Sequence, residues 1–100
     1  MKATNYRRFT VHMLARHKKG TKRVVSVPRF KIDQAANTKH ILKLIFKYGQ
    51  DRNHEECVSV GDVIEYNKKY YEVTMANIRE IPFYKFKNLQ GERAKRGDIF

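Results

Sequence analysis

Apolar and polar residues alternate through the first segment of the chain, with Phe9, Val11 and Met13 on one side and Arg8, Thr10 and His12 on the other. That period of two belongs to a half-buried β-strand, predicted here over residues 6–14. It runs into Arg16-His17-Lys18-Lys19-Gly20-Thr21-Lys22-Arg23, where Gly20 is free to take positive φ and the cations repel one another into solvent. A basic hairpin tip is expected at 16–23. The return run, 24–32, is β-branched and apolar, and Pro28, which cannot donate to a ladder, belongs at an edge or bulge that a partner can cover.

Residues 38–49 carry two periods at once. Ile41, Leu44, Ile45 and Tyr48 have helical spacing with Gly49 at the C′ position, while Leu42, Leu44, Phe46 and Tyr48 alternate with Lys43 and Lys47. A strand is the reading adopted, with a short helix at 38–48 as the alternative. After a polar loop at 50–56, Gly61-Asp62 leads into Val63-Ile64-Glu65-Tyr66, then Asn67-Lys68-Lys69, then Tyr70-Tyr71-Glu72-Val73-Thr74-Met75. This predicts a β-hairpin with Asn67 left-handed in the turn and Tyr71, Val73 and Met75 facing the core. A further strand is expected over 78–86 with Pro82 at an edge or bulge. The picture is an all-β domain over 1–90, a five- or six-stranded barrel or rolled meander, followed by a mobile polar tail at 91–100.

Charge changes the picture most. Residues 1–49 carry thirteen Lys and Arg against the one acid Asp33, whereas residues 50–100 carry nine of each sign, so the net +12 lies in the first half. A one-sided positive charge points to a surface that faces polyanions, either nucleic acid or an acidic protein. Arg7, Arg8, Arg16, Lys18, Lys19, Lys22 and Arg23 all fall on the predicted first hairpin, with Tyr6 and Phe9 close by, and form the candidate contact for DNA or an acidic partner. The single Cys57 excludes an intrachain disulfide, and neither a signal-peptide apolar region nor a run of membrane-spanning length is present, so an intracellular place is expected.

Catalytic patterns are missing: there is no Gly-rich phosphate loop and no G-x-S-x-G elbow. His54 stands three residues before Cys57, but a nucleophilic thiol needs a base and an orienting group gathered across a fold, and a small apolar Cys beside a solvated His is the plainer reading. His12, His17, His40 and His54 with one Cys have no zinc-ligand spacing, so no metal and no cofactor are expected. Asp62, Glu65, Glu72 and Glu80 cluster in the second half, but Glu65 and Glu72 flank the hairpin turn, where cross-strand ion pairs with Lys68, Lys69 or Arg79 are the default, so the cluster reads as a solvated face rather than as acid–base groups. Tyr66, Tyr70, Tyr71, Phe83, Tyr84 and Phe86 are too many for one face of a small sheet. Tyr70 and one of Phe83 or Tyr84 are expected to point outward, and with Arg79 and Lys85 they form a candidate protein interface.

The run Val60-Gly61-Asp62-Val63-Ile64-Glu65-Tyr66, then Tyr70-Tyr71-Glu72-Val73-Thr74, then Glu80-Ile81-Pro82-Phe83-Tyr84 resembles the small SH3-like β-barrel module of head–tail connector (neck) proteins of tailed bacteriophages. The resemblance covers about a quarter of the chain. It implies a non-enzymatic adaptor that forms a homo-oligomeric ring in the virion, assembled in the host cytoplasm, and binds the portal or a neighbouring ring with its basic face towards DNA or an acidic neighbour. The alternative is a small ribosome- or transcription-associated protein that grips nucleic acid through the same hairpin together with Lys39, Lys43 and Lys47.

Overall fold

The structure, a computed structural model of the chain, describes residues 5–14, 22–50 and 58–97. Strands β1 (Tyr6–His12) and β2 (Lys22–Pro28) pair antiparallel, Tyr6 opposite Pro28 and His12 opposite Lys22. Helices α1 (Arg29–Gln34) and α2 (Thr38–Tyr48) then carry the chain to β3 (Val63–Tyr66), which pairs with the free side of β1. Strands β4 (Lys69–Val73) and β5 (Ile78–Ile81) continue the sheet as a meander, and α3 (Phe83–Gly97) follows. The strand order is β2-β1-β3-β4-β5. The sheet has the expected five antiparallel strands, but it is open, with β2 and β5 as edges. Helices add to it, so the fold is β-rich with helices on the sheet rather than an all-β barrel.

Alternation divides the sheet into two faces. One carries Phe9, Val11, Val25, Val27, Ile64, Tyr71 and Val73, all buried, and Ile32, Leu42, Leu44 and Ile45 of α1 and α2 close over it with Met13 and Val58. The other carries Val63 and Ile81, which Phe86 of α3 covers together with Leu14, with half-buried Tyr70 and Leu89 alongside. Helix α3 seals the β3–β5 side of that face and the His12 end of β1. Along β2 and the rest of β1 the same face stays open, with Arg8, Lys22 and Ser26 exposed and Val24 58% exposed.

Residues 38–48 form a helix, against the strand reading. A strand would have turned Ile41 and Ile45 outward with Lys43 and Lys47; a helix gathers every large apolar side chain on one stripe, and Ile45 becomes fully buried. Asn37 caps its start, its side-chain oxygen accepting from His40 N–H at 2.9 Å, while the His40 ring accepts from Ala36 N–H at 3.2 Å. At its end Gly49 takes ordinary right-handed φ, and it is a glycine because a Cβ there would overlap Val58.

Two strand predictions overran in the same way. The run 24–32 is strand only to Pro28, and 78–86 only to Ile81; a helix begins directly after each proline. Proline holds the preceding residue extended and its own φ suits a helix start, so each ends one element and opens the next. Pro28 does sit at an edge, as the last residue of β2. Pro82 accepts the first α3 bonds from Lys85 and Phe86 N–H. The helix runs to Gly97, through most of the segment expected as a tail.

The second hairpin forms as predicted, Asn67 and Lys68 both at positive φ (54° and 64°), the geometry of a type I′ turn. Tyr71 and Val73 are buried, but Met75 lies beyond the strand end and is 93% exposed. Gly61 at φ 101° reverses the chain before β3, and the buried Asp62 carboxylate closes that turn by accepting from Ser59 N–H at 2.9 Å. The Gly-Asp pair thus has a local folding role. The expected hairpin tip and the polar loop, with His54 and Cys57, lie outside the described residues apart from Lys22, Arg23 and Gln50.

Candidate functional site

The described cations of the first hairpin are divided between two faces. Alternation and register put Arg7 and Arg23 on the helix-covered face and Arg8 and Lys22 on the open face, with Arg7 and Arg8 several residues from the tip end. Two of the four have packing roles. The Arg7 guanidinium lies 5.4 Å from the centroid of Phe9, and the Arg23 guanidinium donates to the Gly49 carbonyl, tying β2 to the C-terminal end of α2. Arg8 and Lys22 stand exposed beside Val24 and Ser26. Arg16, Lys18 and Lys19 lie outside the described residues.

Helix α2 adds what the hairpin lacks. Lys39, Lys43 and Lys47 are exposed at i, i+4 and i+8, and each step advances the ammonium by about 6 Å along the axis. Lys39 and Lys43 also line a cleft of about 130 Å³ with Ala76, Asn77 and Ile78 of the β4–β5 turn. That turn is held shut by Thr74, whose hydroxyl donates to the Asn77 carbonyl at 2.8 Å and accepts from Asn77 N–H at 3.0 Å. Two ammonium groups beside a pinned turn form a surface suited to an anionic oxygen.

Acid pairing separates the two halves. Among the described residues, Arg7, Arg8, Lys22, Lys39, Lys43 and Lys47 form no salt bridge, and Asp33 is the only acid of the first half. In the second half, Glu72 lies 3.4 Å from Arg79 and 3.7 Å from Lys85, and Lys69 lies 4.0 Å from Glu80. Glu65 reaches instead to His12, 2.9 Å from its Nε2. His12 is 4% exposed, with the Phe86 ring edge-on at 4.6 Å and its Nδ1 without a partner. The ring is wedged between the sheet and α3, its Nε2 at the Glu65 carboxylate.

The expected aromatic interface divides as well. Tyr70 does not point outward: it stacks on Phe86 at 4.2 Å with an interplanar angle of 14° and belongs to the layer under α3. Phe83 and Tyr84 are 57% and 70% exposed, while Arg79 and Lys85 are engaged by Glu72. Sequence reasoning named Tyr6 but passed over Phe30, with which it forms a second exposed pair sharing a groove at the end of the sheet. The available signal was Phe30 standing between Arg29 and Lys31 directly after Pro28, an apolar residue in a charged setting.

Among the described residues no group of three His, Cys, Asp or Glu side chains could hold a metal, and no helix is long and apolar enough to cross a membrane. Compared with protein-family models, curated proteins and solved structures, the chain matches none.

Proposed function

We propose that this protein is a non-enzymatic nucleic-acid-binding module that holds a sugar–phosphate backbone on its exposed cations, Arg8 and Lys22 on the open face of β1 and β2 and Lys39, Lys43 and Lys47 along α2. The observation that carries the reading is the set of exposed cations in β1, β2 and α2 that have no salt-bridge partner among the described residues. A charge left unpaired on the surface of a small domain is available to an external polyanion. The comb of lysines along α2 suits a linear polyanion better than the scattered carboxylates of a folded partner. Binding through phosphates carries no base preference of its own.

The test is to follow log K against log salt for a labelled duplex and a labelled single-stranded RNA over about 50–300 mM salt. Several phosphate contacts give a slope of about −0.9 per contact on duplex and binding that persists at physiological salt. Binding that is weak and gone by about 150 mM would overturn the reading.

A second reading, an adaptor subunit of a tailed-phage connector ring, is favoured by exposed Phe83 and Tyr84 on α3 and by the two open sheet edges. It predicts a homo-oligomer in solution whose assembly, rather than nucleic-acid affinity, is lost when both rings are removed.

A further inference from the structure

The groove at the end of the sheet away from the hairpin tip is lined by Asn5, Tyr6, Pro28, Arg29, Phe30 and Asp33, with a volume of about 460 Å³. Tyr6 and Pro28 face each other across the β1–β2 ladder, and Phe30 follows two residues later in the first turn of α1. Tyr6 is 51% exposed and Phe30 58%, so two aromatic rings line one open groove on a domain whose other large aromatics are mostly covered.

The surroundings select the occupant. The Lys31 ammonium lies 5.6 Å from the Phe30 centroid, and Arg8 stands two residues beyond Tyr6 on the same face of β1. Cations beside exposed rings suit a ligand with a flat π-face and an attached negative charge. Asp33 inside the groove works against a phosphate there and favours a group that can donate to a carboxylate, as the N–H edges of a base do. We infer that Tyr6 and Phe30 form a stacking platform for an unpaired base of single-stranded nucleic acid, its phosphates running towards Arg8 and Lys31. The inference rests on the nucleic-acid reading and narrows it, because bases inside a duplex offer no free face to stack.

The chain contains no Trp, so Phe30→Trp installs a single reporter. Its fluorescence is followed while a single-stranded oligonucleotide or a duplex of the same sequence is added at fixed salt. The expected result is quenching by the single strand and not by the duplex. In parallel, the double variant Tyr6→Ala/Phe30→Ala, both positions being more than half exposed and so replaceable without unfolding, loses single-strand affinity by about 5- to 150-fold per stacked base and keeps duplex affinity. Circular dichroism confirms that the variant is folded, and Tyr6→Phe keeps the affinity. If both ligands bind, the Trp signal stays flat and the double variant binds as before, the platform falls while the backbone-binding reading stands. If neither ligand binds, both fall. Quenching that rises with protein concentration alone would assign the groove to a second copy of the chain and overturn the platform.

Discussion

In β3–β5 and α3, Glu72 sits between Arg79 and Lys85 and Lys69 faces Glu80, while across the same sheet β1, β2 and α2 present Arg8, Lys22, Lys39, Lys43 and Lys47 to solvent with no acid among the described residues to meet them. The two regions share one hydrogen-bonded sheet and similar strand chemistry, so folding alone does not demand the difference. Exposed ion pairs contribute little to stability, about 0–1 kcal/mol each, and their absence costs the first region little. What it gains is a positive field that Glu72 and Glu80 partly offset in the second region. Aromatic rings serve both purposes in each region: Phe9 is packed and Tyr6 and Phe30 stay open in the first, Tyr70 and Phe86 are packed and Phe83 and Tyr84 stay open in the second.

The largest effect should come from breaking the packed side of that contrast. Phe86 is 3% exposed, stacked on Tyr70 and edge-on to His12, and it holds α3 on the sheet. Phe86→Ala is expected to cost about 3–5 kcal/mol in urea unfolding, the range for removing a buried aromatic ring. Phe83→Ala, on the same helix but more than half exposed, should cost under about 1 kcal/mol. Equal losses for the two would mean that α3 is not held by this layer.

Both hairpins were legible in the sequence because their alternation has one period and their turns carry diagnostic residues, down to Asn67 at positive φ. The helices were not. In α2 both periods fit, and only burial of Ile45 against the sheet decides between them, a tertiary outcome that local pattern does not contain. In α3 the aromatic run Phe83-Tyr84 has high strand propensity, yet Phe86 and Leu89 fit helical spacing and Pro82 marks a start. Reading each proline as an end plus a beginning would have found α1 and α3 together. The one-sided charge was legible, but its placement was not: strand alternation split the hairpin arginines between two faces, and the lysine stripe exists only once 38–48 is helical.

The next effect tests the charged side directly. Lys39→Glu/Lys43→Glu/Lys47→Glu should lower nucleic-acid affinity by roughly 10²–10³ at 0.1 M salt and flatten the salt slope by about 2–3, three contacts at 0.7–0.9 each. Because all three side chains are exposed and unpaired, the melting temperature should barely move. The matched triple in the other region, Lys69→Glu/Arg79→Glu/Lys85→Glu, changes net charge by the same amount. It should instead lower stability by about 1 kcal/mol or more, through like charges gathered at Glu72 and Glu80, while costing far less affinity. Equal affinity losses from the two triples would mean that net charge, not its placement, governs binding.

The smallest effect concerns how the acids of the second region act on the core. Tyr71 is buried on the helix-covered face, and burial raises its phenol pKa above the ordinary 10.0, with smaller contributions from Glu80, its cross-strand partner, and from Tyr66. The folded state therefore keeps a proton that the unfolded chain gives up near pH 10. The stability this represents is fully present below pH 10 and is lost as pH rises through the folded value. Tyr71→Phe, which cannot ionise, should match the parent protein at neutral pH and lose less stability between pH 9 and 11, as read by the difference between the two proteins so that lysine titration common to both cancels. Glu80→Gln should remove only the lesser part of that difference, because burial is the larger cause. If Glu80→Gln abolished it, charge rather than burial would control Tyr71, and the second region's acids would reach into the core as well as neutralise the surface.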